Sequence, residues 1–190
     1  SNIGLADVTD SLLAIKQLVF DEQKITFPQL KQAIDSDFRD APALHAMIRN
    51  KVPRFGSGDE ASLAMCRRIT DAMRACWRRH TNHRGGKYTV GYWSMSQHVA
   101  YGSLSGTLPS GRLAGKAFTP GLTPSPEASK NFLDNLTAVA ALNPENMDNN
   151  IAFNVKLTAK PSDSRETIVD HMHAYVKSYF QQGGMQMQFN

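Results

Sequence analysis

Between Gly102 and Pro126 the chain carries five glycines (Gly102, Gly106, Gly111, Gly115 and Gly121) and four prolines (Pro109, Pro120, Pro124 and Pro126). Glycine weakens regular elements and proline removes a backbone donor, so the stretch reads as one long loop. A loop of about 25 residues is uncommon inside a compact domain and usually carries function or covers something. It also divides the chain. Ahead of it, residues 1–84 read as mainly helical. From residue 85 on, strands alternate with helices around the loop. Together these make an α/β organisation, with the strands expected in one larger sheet or barrel.

The helical half is legible from spacing and caps. Asp7 to Phe20 reads as a helix with Val8, Leu12, Ile15 and Val19 as its apolar side and Asp7 or Thr9 as cap. Thr26-Phe27-Pro28 opens a second helix that runs to about Phe38. A third spans Ala41 to Asn50. Pro53 and Gly56-Ser57-Gly58 form a loop, and Asp59 caps a long helix to about Arg79 with Leu63, Cys66, Ile69, Met73 and Cys76 or Trp77 inward. After Gly85-Gly86, the aromatic and β-branched run Tyr88 to Val99 reads as a strand. Phe132 to Leu142 is expected to be helical, Ile151 to Thr158 a second strand, and Ser164 to Gln182 a helix stopped by Gly183-Gly184. Ile168, His171, Tyr175, Val176 and Tyr179 form its expected inner side. Met185 to Asn190 begins a third strand. A chain that opens on Ser1-Asn2 and closes within apolar alternation is expected to be an excised segment, whose strand edges would aggregate or bind a partner.

Composition narrows the classes. An apolar fraction of 41% and a charged fraction of 20% fit an ordinary globular protein. No apolar run reaches the ~18 residues of a membrane span, and no secretory leader opens the chain, so a cytoplasmic protein is expected. The net charge of +4 is concentrated at Arg67, Arg68, Arg74, Arg78, Arg79 and Arg84. Such a helix can be a nucleic-acid footprint, but the spacing also suits a solvated face or pairing with carboxylates, and no nucleic acid is expected as partner. Cys66 and Cys76 lie ten residues apart in one helix, ~15 Å along its axis, too far for a disulfide.

Familiar catalytic signatures are missing: no GxGxxG, Walker loop, HExxH or GxSxG occurs. Gly102-Ser103-Leu104-Ser105-Gly106 has the wrong spacing for a nucleophile elbow. His171 and His173 alternate on a helix and point apart. His80 and His83 could share a metal, but exposed polar residues near a helix C-terminus explain them better. The informative run is Tyr92-Trp93-Ser94-Met95-Ser96-Gln97-His98. On a strand, alternation sets Ser94, Ser96 and His98 on one side. A line of small polar residues facing inward suits a barrel that encloses a polar substrate, while the plain alternative is outward-facing polarity. Asn154, Lys156 and Thr158 alternate in the same way.

Several stretches, in order along nearly the whole chain, resemble the glycyl radical enzymes of the pyruvate formate-lyase-like class. Ser11-Leu12-Leu13-Ala14-Ile15-Lys16-Gln17-Leu18-Val19-Phe20 looks like the helix that follows that family's cysteine loop. Pro53-Arg54-Phe55-Gly56 is similar to its P-K-F-G turn, and Arg84-Gly85-Gly86-Lys87-Tyr88 to its R-G-G-x-Y approach to a barrel strand. Gly102 through Gly106-Thr107-Leu108-Pro109-Ser110-Gly111-Arg112-Leu113-Ala114-Gly115, then Gly121-Leu122-Thr123-Pro124, resembles its G-x-x-x-G-A-x-P-x-G-R-x-A-G … G-x-x-P run. Gly183-Gly184-Met185-Gln186-Met187-Gln188-Phe189-Asn190 resembles its G-G-x-x-x-Q-F-N strand.

The resemblance implies a single segment, residues 1–190, of a ten-stranded α/β barrel. It implies a parent enzyme in which a glycyl radical, installed by a separate S-adenosylmethionine radical activase, passes to a cysteine that abstracts hydrogen from a small-molecule substrate. Neither the family's G-C-x-E loop nor its R-V-x-G-Y loop occurs here, so no catalytic residue and no bound cofactor or metal carries over. The segment lies between the two loops. The dehydratase, decarboxylase and lyase branch looks nearest, with hydroxyproline dehydratase-like members foremost. Formate C-acetyltransferase itself and a non-catalytic scaffold derived from the fold are the alternatives. In that branch a hydroxyl residue on the first strand lines the pocket, which makes Ser94 or Ser96 the candidate substrate contact. Implied partners are the rest of the barrel, the activase and a second copy in a homodimer.

Overall fold

The structure is a computed structural model that describes residues 1–144 and 147–189. Four chain passages run side by side in parallel. Asn2 bridges Tyr92, Tyr92 bridges Ile151, and β1 (Phe153–Val155) pairs with β2 (Met187–Phe189). Main-chain bonds stitch the arc: Asn2 N–H donates to Gly91 O at 2.7 Å, Tyr92 N–H to Asn150 O at 2.6 Å, and Phe153 N–H to Gln186 O at 3.2 Å. Every link between neighbouring passages is a long helical crossover, as parallel strands require. Among the described residues only β1 and β2 form a ladder; the other passages touch through single bridges.

The first crossover holds α1 (Leu5–Ile15), α2 (Phe27–Asp35), α3 (Pro42–Lys51) and α4 (Glu60–Arg78). Caps set their starts. Thr26 and Gln29 form a reciprocal capping box on α2, and Asp59 accepts from Ser62 N–H at 2.8 Å on α4. Neither Asp7 nor Thr9 caps α1. Gly4 occupies that place, and both residues lie inside the helix. Only half of the expected apolar side faces inward: Ile15 and Val19 pack against the helical cluster, but Val8 and Leu12 are 48% and 40% exposed, while Leu5, Ala6, Asp7, Thr9, Asp10, Leu13 and Ala14 are buried. Hydrogen bonds explain the rotation. Asp7 Oδ2 accepts from Thr119 N–H and Oγ1–H, both at 2.7 Å, and Asp10 Oδ1 accepts from Phe55 N–H at 2.8 Å. Satisfying these groups turned that face inward. A π-helical stretch, Lys16–Asp21, then extends the helix.

The second crossover holds α5 (Gln97–Leu104), the Gly/Pro stretch and α6 (Phe132–Ala140); the third holds α7 (Arg165–Gln181). The expected strand Tyr88 to Val99 is not formed. Tyr92 makes two isolated bridges, the chain bends at Met95 and Ser96, and α5 begins at the next residue. Strand propensity there yields to packing. A Cβ on Gly102, inside α5, would run into Lys116 O, so this glycine lets the helix lie flat on the loop's own backbone. The loop therefore starts at Ser105 rather than Gly102. Gly121, at φ +56°, passes so close to the strand arc that a Cβ would meet Ala152 O. Expected strand Ile151 to Thr158 shortens to the bridge at Ile151 and β1, and Asn190 lies outside the described residues.

Period-two alternation sorts the arc's two sides. Tyr92, Ile151, Phe153 and Val155 are buried against α4, α6 and α7, with Cys66, Leu136, Val139 and Tyr179. Each such apolar side chain stabilises by roughly 1.5–3 kcal/mol. His171, expected inward on α7, is exposed, while Tyr175 and Tyr179 face the core. A separate apolar cluster, built on Leu13, Leu18, Leu30, Ala33, Phe38, Ile48 and Val52, joins α1, α2 and α3. No helix is long and apolar enough to cross a membrane among the described residues.

Candidate functional site

The residues that alternate with the core side chains form the opposite side of the arc. Asn150, Ala152 and Asn154 come from one passage, and Gln186 and Gln188 from the next. Asn154 and Gln188 are direct partners in the β1–β2 register. Trp93, Ser94 and Met95 follow the Tyr92 bridge, and His98 reaches in from the first turn of α5. With Pro120 they line a hollow of about 370 Å³. Among the described residues, no Asp, Glu, Lys or Arg lines it. Its wall offers amides, a hydroxyl, an imidazole and an indole, which suit hydrogen bonding to small uncharged polar groups.

Local bonds fix parts of this wall. Ser94 Oγ lies 3.0 Å from His98 Nδ1, a pairing across the bend that leads into α5. His98 is held from behind, because its carbonyl accepts from Phe118 N–H at 3.0 Å. Gln186 Oε1 accepts from Ile151 N–H at 3.2 Å, and Asn154 N–H donates to Thr123 Oγ1 at 2.9 Å. Behind the wall, burial lifts the Tyr92 hydroxyl above its ordinary range.

Of the two hydroxyls singled out from sequence, Ser94 lines the hollow. Ser96 is exposed at the N-cap position of α5 and lies outside that lining. Alternation along one strand set them together with His98, whereas the bend brings Ser94 and His98 together and parts them from Ser96. Asn154 shares the wall; Lys156 and Thr158 are exposed and do not. Sequence reasoning missed Gln186 and Gln188. Their period-two spacing around Met187 was the available signal.

A second hollow, of about 300 Å³, is rich in charge: Asp7, Asp10, Arg49, Arg54, Arg112, Lys116 and Glu127 line it. Arg54 Nη1 donates to Asp10 Oδ2 at 3.2 Å, with side chains only 8% and 3% exposed, and Nη2 donates to Ser110 O at 2.9 Å. Burial pushes the Asp10 carboxyl up to about 7, against the opposing pull of Phe55 N–H and Arg54. Arg112 donates to Gly102 O and Gly106 O at 2.6 and 2.9 Å, and its guanidinium lies 4.2 Å over the Phe118 ring. These charges tie the Gly/Pro loop to α1 and the Phe55 turn.

The remaining candidates have structural places. Cys66 is fully buried beside Thr9, and burial pushes its thiol up to about 12, which makes it an inert core residue; Cys76 is exposed and also free. The basic helix is not a uniform wet face, since Arg67 Nε donates to Ala141 O at 2.7 Å and Arg78 pairs with Asp148. Among the described residues, no three His, Cys, Asp or Glu side chains gather as a metal cluster.

The arc thus carries helices on one side and a polar wall on the other. The chain belongs to the Pyruvate formate lyase-like family, whose model matches residues 1–102. The Glycine radical family model matches residues 118–190. The chain is 27% identical over 188 residues to trans-4-hydroxy-L-proline dehydratase of Clostridioides difficile, covering 99% of this chain and 24% of that protein. It is 33% identical over 138 residues to isethionate sulfite-lyase of Desulfovibrio desulfuricans, covering 68% of this chain and 16% of that protein. Its fold is similar to the glycerol-bound form of the B12-independent glycerol dehydratase from Clostridium butyricum, with a TM-score of 0.89 and 30% identity over 98% of this chain and 24% of that one. The chain thus spans about a quarter of the length of the relatives that it matches end to end.

Proposed function

We propose that the protein carrying this chain is a glycyl radical enzyme that cleaves a C–C or C–X bond of a small polar substrate, as a dehydratase, decarboxylase or lyase. Residues 1–190 act as one segment of a ten-stranded α/β barrel and supply part of its inner wall. The observation that carries this reading is the sorting of the arc: apolar side chains under the helices, and Ser94, His98, Asn154 and Gln188 on the other side, with no charged side chain among the described residues there. The radical, installed by an S-adenosylmethionine radical activase, supplies hydrogen abstraction from loops whose motifs do not occur within these residues. This segment's own part is to hold and orient. Ser94 hydrogen-bonds a polar group of the substrate, the paired amides add donors and acceptors, and the buried core behind them excludes water from a site where it would quench radicals. A homodimer in the cytoplasm completes the reading.

The test is Ser94→Ala in the full-length enzyme, activated anaerobically, with Ser96→Ala beside it. Losing one substrate hydrogen bond of about 1–1.5 kcal/mol lowers kcat/KM about tenfold in Ser94→Ala. The glycyl radical signal in electron paramagnetic resonance stays at the parent's level. Ser96→Ala, outside the lining, stays near parental turnover. Unchanged kinetics in Ser94→Ala would remove Ser94 from the substrate pocket.

A further inference from the structure

We propose that His98 is a positioning residue, and that Ser94 and His98 act as one unit that reads a hydroxyl group of the substrate. The inference rests on the reading of Ser94 as a substrate contact and adds what sets its hydrogen-bond polarity. A serine hydroxyl has one donor and two acceptor sites, and its proton rotates to suit its neighbours. Here Ser94 Oγ lies 3.0 Å from His98 Nδ1. If Nδ1 is bare, the serine proton is spent on the ring, and Oγ presents only lone pairs to the hollow. If Nδ1 carries hydrogen, Ser94 accepts from it, and its own proton is available to the ligand. The imidazole therefore decides which half of a hydrogen bond Ser94 can offer.

The rest of the wall shows why this matters. Asn154 and Gln188, partners in the strand register, have both amide donors and an amide acceptor and can rotate to suit a ligand. Ser94 differs, because its polarity is fixed by a neighbour anchored on another element. The anchor is firm: α5 begins right after the bend, and the His98 main chain is bound to Phe118 across the loop. Among the described residues, the lining holds no fixed charge to counter a carboxylate or sulfonate. A ligand hydroxyl, which both gives and takes, is the group that suits a wall in which His98 presets Ser94 and Ile151 N–H presets Gln186.

The experiment is a double-mutant cycle on the full-length, unactivated protein, with glycerol, trans-4-hydroxy-L-proline and isethionate as hydroxyl-bearing probes and Kd read by calorimetry. Ser94→Ala and His98→Ala each weaken the probe that binds best about tenfold. The double variant is weakened no more than about twofold beyond the stronger single one, because His98 acts through Ser94. His98→Asn, which keeps a polar atom near the Nδ1 place and leaves the main-chain bond to Phe118, recovers binding to within about threefold. It also serves where His98→Ala fails to fold. Multiplicative losses near a hundredfold, or no recovery in a folded His98→Asn, overturn the positioning role alone. A silent Ser94→Ala overturns the functional reading beneath it as well. No binding of any probe to the parent protein overturns the hydroxyl assignment.

Discussion

The two hollows of this chain are close in size, about 300 and 370 Å³, and opposite in chemistry. The first holds four cationic and three acidic side chains, one of them a carboxyl pushed up to about 7; the second holds none of the four fixed-charge residue types among the described residues. Charge and a perturbed carboxyl often mark an active site. Here the partners of those charges are the chain's own groups. Asp7 binds Thr119, Asp10 binds Phe55 and Arg54, and Arg112 binds carbonyls of the loop that contains it. They hold a Gly-rich segment in place. In the neutral hollow, the side chains are spaced by strand alternation around empty volume. On the proposed reading, unspent hydrogen-bonding capacity, more than charge, marks the wall that would meet a ligand.

The sharpest way to break this comparison is Asp10→Ala. It removes a buried acceptor of the Arg54 guanidinium and leaves Phe55 N–H unpaired, so the full-length protein should lose about 3–5 kcal/mol in denaturant unfolding. Unchanged stability would mean that the charged hollow is not a structural tie. Next comes pH. Asp10 is raised from an ordinary 3.8 to about 7, so the folded state holds a proton that the unfolded chain has released across that interval. Its stabilising contribution is complete below about pH 4 and is lost as pH rises toward 7, by at most on the order of 4 kcal/mol. Asp10→Asn should flatten this part of the stability–pH curve; a slope that persists assigns it to other groups.

Gln188→Glu tests the other hollow. A carboxylate on the uncharged wall should weaken glycerol binding about tenfold, read by calorimetry, and should move stability by less than about 1 kcal/mol, because Gln188 is exposed. A loss of stability with intact binding would reverse the roles given to the two hollows. The smallest effect is expected for Lys116→Ala. Lys116 is exposed on the rim of the charged hollow, and its removal should stay within about 0.5 kcal/mol by thermal melting. A larger change would show that even the rim charges serve the tie.

The sequence by itself determined a good deal. Thr26 with Gln29, Asp59 and Ser164 mark helix starts where the side chains cap them, and Gly183 follows the end of α7. Such signals are local, so a single stretch of chain is enough to read them. The glycine pattern from Gly102 and the Gly183 to Asn190 run pointed to the family, which the matches to residues 1–102 and 118–190 bear out. Other features depended on tertiary structure. The inner side of α1 was set by Thr119, Phe55 and Arg54, each far along the chain, and their bonds to Asp7 and Asp10 outweighed the apolar stripe through Val8 and Leu12. Likewise, the run after Tyr92 had strand-like composition but only isolated bridges there, and Gly102 allowed α5 to pack on Lys116 and Phe118 instead. That bend, invisible in a period-two reading, set Ser94 against His98 and left Ser96 outside. Elements follow from neighbours in sequence, but which side of an element meets the hollow depends on where distant donors and acceptors find their partners.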